Sequence, residues 1–131
     1  MHPMIVTTTA TGILGLIFIV LSARVVLGRT STKTLLGHGE NDASPLFIAV
    51  RSHANFAEYV PLCLLLIAAL EVQHGASLLV KVLAAILILA RIAHPIGMAT
   101  PGPNPFRAGG FVGTILVLAV GSVAAVATVF L

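Results

Sequence analysis

The chain has 131 residues, 58% of them hydrophobic and only 8% charged, with a mean hydropathy of +1.10. That balance excludes a small soluble domain with a polar surface and indicates an integral membrane protein, organised as one unit over residues 1–131. The formal charge of +3 comes from seven Lys and Arg against four Asp and Glu, scattered with no basic face and no interleaved aromatics, which excludes nucleic acid as a partner.

The first apolar segment covers about residues 4–28, close to the roughly 20 residues that cross the hydrocarbon of a bilayer, with Arg24 and Arg29 at its end. Its run Gly12 to Leu21 has the length of a signal peptide. No basic residue precedes it, however, and Ser22-Ala23-Arg24 makes a poor cleavage site, so it reads as a retained span. A polar linker follows from Thr30 to Ser44, carrying Lys33, His38, Glu40 and Asp42. Ser44-Pro45 is a cap followed by a first-turn proline and opens a second helix over 45–74. Pro61 inside it leaves the Ala57 carbonyl without its helical donor, so a bend or a local polar contact is expected. The lone Cys63, in an apolar run, reads as a buried small hydrophobe.

A third helix is expected over 77–98, ended by Thr100-Pro101-Gly102-Pro103, and a fourth over 105–131, opened by Asn104-Pro105. Gly12 and Gly15 in the first helix, and Gly109, Gly113 and Gly121 in the fourth, are expected to allow close helix packing. The architecture is therefore an all-α, four-helix membrane bundle. Arg24, Arg29 and Lys33 border the first loop and Arg107 the third, against Lys81 on the other side. The excess of basic residues places the first and third loops in the cytoplasm.

In that topology three helices bring polar groups to one depth. Arg51, Asn55 and Glu58, at spacings of four and three, share a face of the second helix. Arg91 and His94 stand three apart near the end of the third, and Arg107 lies in the first turn of the fourth, where the helix dipole disfavours a cation. Three arginines against the single acid Glu58 leave a surplus of positive charge that an anionic ligand would balance. Alternatively, each arginine reaches out to lipid phosphate. No His-x-x-x-His pair supports a metal site, Ser52-His53 lacks a third member for a hydrolase, and Gly37-His38-Gly39 lacks the lysine of a phosphate loop.

At these residues the chain resembles the membrane-associated proteins in eicosanoid and glutathione metabolism, the MAPEG family, and within it the small prokaryotic members. The resemblance rests on Arg51-x-His53-x-Asn55-x-x-Glu58-Tyr59-x-Pro61, with support from Arg91-Ile92-Ala93-His94 and from Arg107 sixteen residues after Arg91. It covers essentially the whole chain. It implies a homotrimer, located in the bacterial inner membrane, with glutathione bound as co-substrate between subunits near the cytoplasmic side. Carried over by position, Asn55 and Glu58 hold the glutathione backbone, with Glu58 on its ammonium, and His94 is a third contact. Arg51 and Arg91 match motif arginines of structural or ligand-holding role, and Arg107 matches the arginine that stabilises the thiolate. The chain departs from animal members at Ala54, where they have arginine, at Met98 and Phe111, where they have tyrosine, and at Ala108, where they have serine.

Two functions follow as expectations. One is a membrane glutathione transferase or peroxidase acting on lipophilic electrophiles or hydroperoxides, with lipids around it. The other is a non-catalytic trimer that binds a lipid headgroup or another small anion in the same pocket. A proton-coupled exporter is disfavoured because the first helix has no acidic residue at mid-membrane.

Overall fold

The computed structural model describes residues 3–37, 41 and 44–130. Four helices follow one another: α1 (Ile5–Thr32), α2 (Pro45–His74), α3 (Leu78–Ala99) and α4 (Pro105–Phe130). Each is long and apolar enough to cross a bilayer, and the chain is an all-α integral membrane protein. His2, His38, Glu40, Asp42 and Leu131 lie outside the described residues.

Three helix starts are set by the residue just before them. The Ser44 hydroxyl accepts the Phe47 N–H at 3.1 Å, with Pro45 in the first turn. Ser77 accepts the Val80 N–H at 3.4 Å, so α3 begins one residue later than expected because Ser77 is its cap. Asn104 Oδ1 accepts the Arg107 N–H at 3.0 Å. Each cap satisfies an otherwise orphaned donor and is worth about 1 kcal/mol. The end of α1 differs from expectation, running a turn past Gly28 to Thr32. There Thr30 donates to the Val26 carbonyl, while Ser31 and Thr32 donate to that of Gly28, so the linker's first hydroxyls extend the helix. Lys33 then adopts a left-handed conformation, with φ 54°, and ends it.

The start of α1 is held from outside. Its N-cap residue, Met4, makes no side-chain cap. Instead the fully buried carboxylate of Glu71, near the end of α2, accepts the N–H groups of Val6 at 2.8 Å and Thr7 at 2.7 Å. A negative charge there also meets the positive end of the helix dipole.

The helices α2 and α3 form the middle of the bundle, with α1 packed on one side of the pair and α4 on the other; α1 and α4 do not touch among the described residues. Phe56, Val60, Cys63, Ile67 and Leu70 recur every three or four residues along the buried stripe of α2 and meet Leu14 and Leu21 of α1 and Leu83 and Leu87 of α3. Cys63 is wholly enclosed there. The outward faces stay apolar, with Leu16 67% and Val123 71% exposed, as a bilayer requires.

The tight helix contacts are not all at the glycines singled out from sequence. A Cβ on Gly12, Gly15 or Gly109 would meet nothing, whereas one on Gly113 would lie 3.1 Å from Ala90 Cβ and one on Gly121 3.4 Å from Leu66. The closest approaches are at Gly97 and Gly110 instead. A Cβ on Gly110 would sit 2.7 Å from that of His94, and one on Gly97 would overlap the backbone of Arg107. The seam between α3 and α4 is closed by these two glycines, and it carries two of the site residues.

Candidate functional site

At the end of the bundle where α2 and α4 begin and α3 finishes, a cavity of about 750 Å³ is lined by Arg51 and Asn55 of α2, His94 and Met98 of α3, and Arg107, Ala108 and Phe111 of α4, with the α3–α4 turn as its rim. Four of the six expected site residues, Arg51, Asn55, His94 and Arg107, therefore share one cavity wall.

The other two are placed differently. Arg91 is only 1% exposed and lies behind the wall. Its guanidinium donates to Asn55 Oδ1 at 2.9 Å, to the Gly110 carbonyl at 3.0 Å and to the Thr114 hydroxyl, which in turn donates to the Gly110 carbonyl at 2.8 Å. It is a brace joining α2, α3 and α4 and is not among the residues that line the cavity. Glu58, one turn deeper than Asn55, is exposed and outside the cavity lining. The charge balance thus reaches a cationic result by another route. Arg91 donates from both terminal nitrogens to neutral acceptors, its buried Nε having no hydrogen-bond partner among the described residues, and Glu58 stands apart, leaving Arg51 and Arg107 in a cavity that no described acid lines.

The brace has a chemical consequence. Arginine is donor-only, so the Asn55 side chain must turn its oxygen to Arg91, and its NH2 group is left to face other partners. Asn55 therefore presents donors, as Arg51 and Arg107 do. The lining is rich in donors and positive charge, a combination that suits an anion bearing carbonyl or carboxylate oxygens.

Arg107 is positioned by its neighbours on the α3–α4 seam. Asn104 accepts its N–H and donates from Nδ2 to the Gly97 carbonyl at 2.9 Å, clamping the first turn of α4 to the last turn of α3. Gly97→Ala would put a methyl group on the Arg107 backbone, so α4 must shift; a loss of about 1–3 kcal/mol is expected, read as a lower thermal midpoint. Gly109→Ala, which meets open space, is expected to leave the midpoint unchanged or slightly raised. Equal effects of the two substitutions would show that the seam is not the constraint.

His53 has no part in the cavity: its ring stacks on Phe18 of α1 at 4.6 Å. Tyr59 packs edge-on against Phe111, with ring centroids 6.2 Å apart, and so backs one cavity wall. Sequence reasoning missed Gly97, Gly110, Thr114 and Glu71. A signal existed for Glu71, since an acid in an apolar span always needs a partner. None existed for the glycine carbonyl and the threonine that Arg91 uses.

Neither a curated protein nor a solved structure matches the chain. A family model does match, over residues 7–127, and that span takes in all four helices apart from a few residues at each end. The model is that of the MAPEG family, and the chain belongs to that family.

Proposed function

We propose that the protein is a membrane-bound, glutathione-dependent transferase or peroxidase, in which Arg51, Asn55 and His94 hold glutathione and Arg107 stabilises its thiolate. The observation that carries this reading is the convergence of two arginines and an oriented asparagine on one cavity with no acid among the described residues of its lining. Glutathione is a net anion with several carbonyl and carboxylate acceptors. Its thiol, with a pKa of about 8.5, is mostly protonated at neutral pH, and an adjacent guanidinium favours the ionised form. The thiolate then attacks an electrophilic carbon from the bilayer and the leaving group departs with the bonding pair, or two thiols reduce a hydroperoxide to alcohol and water while forming the disulfide.

In this reading Glu58 takes the glutathione ammonium where the ligand extends beyond the cavity, at the junction with a neighbouring subunit of a homotrimer. The cavity end faces the cytoplasm, the side to which Arg24, Arg29, Lys33 and Arg107 assign the first and third loops, and the membrane is the bacterial inner membrane. Arg91 acts through Asn55.

A second reading has support of its own. Met98, Ala108 and Phe111 all line the cavity, so the positions where animal relatives carry hydroxyl groups are apolar here. A non-catalytic anion-binding trimer fits that lining. One experiment separates the two: purified protein is assayed for thermal stabilisation by millimolar glutathione and for conjugation of an activated aryl halide. Stabilisation with turnover is expected. Stabilisation without turnover selects the second reading, and the absence of both removes glutathione from either.

A further inference from the structure

A second cavity, of about 560 Å³, lies against the first and is lined by Phe47, Ile48 and Arg51 of α2, by Met98, Ala99 and Thr100 at the end of α3, by Pro101 and Gly102 of the turn, and by Arg107. Arg51, Met98, Gly102 and Arg107 line both cavities, so the two spaces share these residues at their junction, with Arg51 and Arg107 its two cations. The two spaces differ in depth. The inner one reaches Asn55 and Phe111, one turn further into α2 and α4, whereas the outer one is bounded by the first two turns of α2 and by the residues where α3 stops.

Depth identifies what the outer cavity meets. The 22 residues of α3 extend about 33 Å, little more than the roughly 30 Å of bilayer hydrocarbon. A helix of that length ends at the edge of the hydrocarbon, which puts Ala99 and Thr100 within side-chain reach of the lipid phosphates. There the cavity offers two guanidinium groups that meet no acid among the described residues, between the apolar walls of Phe47 and Ile48. Arginine pairs with phosphate oxygens in its planar, two-pronged geometry, and the apolar walls suit the glycerol and first methylenes beneath a phosphodiester.

We infer that the outer cavity is a phosphate-binding subsite, distinct from the inner ligand cavity and joined to it through Arg51 and Arg107. Its occupant is the phosphate of an anionic phospholipid or a free phosphate ion. Since both cavities draw on the same two cations, the outer occupant competes electrostatically with an anion in the inner one. The subsite thus makes inner-cavity affinity depend on the phosphate that occupies it, from the surrounding lipid or from solution. This goes beyond the glutathione reading and stands whether or not the protein is catalytic.

The test uses the full chain in phosphatidylcholine nanodiscs. Phosphatidylglycerol is introduced in one arm, and inorganic phosphate is added at constant ionic strength in the other. Two variants alter residues that line the outer cavity alone and are exposed, so neither threatens the fold: Ala99→Phe fills the space without changing charge, and Thr100→Glu places an acid beside the arginines. A rise of several degrees in the thermal midpoint is expected with phosphatidylglycerol, with inorganic phosphate, or with both, and is lost in each variant. A response to the lipid alone identifies a headgroup as the source, and a response to the ion alone identifies soluble phosphate. The inference is overturned if neither probe shifts the midpoint, if the shift survives in both variants, or if Thr100→Glu alone abolishes it, which would report only surface potential.

Discussion

Replacing Arg107 by alanine is expected to lower turnover of glutathione conjugation by about 10²-fold while changing glutathione affinity only a few-fold. The asymmetry follows from where charge develops. In the proposed reading, binding spreads over Arg51, Asn55 and His94, which line the cavity and remain in the variant, whereas the negative sulfur is formed only when the proton leaves. Without the guanidinium the thiol regains its ordinary acidity, so the variant's rate should climb with pH towards the thiol's own pKa, and the deficit should shrink under alkaline conditions. Arg107→Lys, which keeps the charge without the planar fork, is expected to lie between the two. The measurement is kcat against pH with saturating glutathione. Unchanged turnover at neutral pH would remove Arg107 from the mechanism, and a loss confined to KM would reassign it to binding.

The largest effect on the fold is expected from Glu71→Gln. The carboxylate supplies an acceptor to each of the Val6 and Thr7 N–H groups, whereas the amide supplies one acceptor and turns a donor towards the other. A backbone N–H left without an acceptor in a buried site costs about 1–3 kcal/mol, and the favourable charge at the start of α1 is lost as well. The thermal midpoint should fall by several degrees, and faster amide exchange should be confined to the first turns of α1. The cavity lies at the opposite end of α2, 16 residues from Glu71 at its nearer member Asn55, or about 24 Å along the helix. Stabilisation by ligand should therefore be retained. If exchange instead accelerates throughout the bundle, the contact is a general determinant of stability and not a local tether of α1.

Arg91 and Arg107 show how much of the site was legible. Both were singled out by residue type and helical position, and both lie at the expected end of the bundle. Their roles diverge because helical spacing assigns a residue to a face and says nothing of what that face meets. Arg91 points into the seam where α2, α3 and α4 come together, and a buried guanidinium there takes whatever acceptors are present: an asparagine, a glycine carbonyl and a threonine. Arg107, sixteen residues later, opens onto the cavity because its helix begins beside it. The asparagine then inherits an orientation from Arg91 that no spacing rule contains.

The glycines carry the same lesson. Gly109 and Gly110 are neighbours in sequence, yet a Cβ on one would meet nothing and on the other would collide with His94. Only the rotation of α4 about its own axis separates them, and that rotation is set by the partner helix.

The sequence by itself determined the four spans, the caps at Ser44 and Asn104, and the family, because hydropathy, first-turn chemistry and short motifs are local properties; that Ser77 caps α3 and is not its first residue came from the structure. It did not determine that Glu71 secures the start of α1, that Arg91 is a brace, or that Arg51 and Arg107 line two adjoining cavities. Those follow from contacts between residues far apart in the chain, and the tertiary packing decides them because a buried polar group takes its partner from the helix it faces.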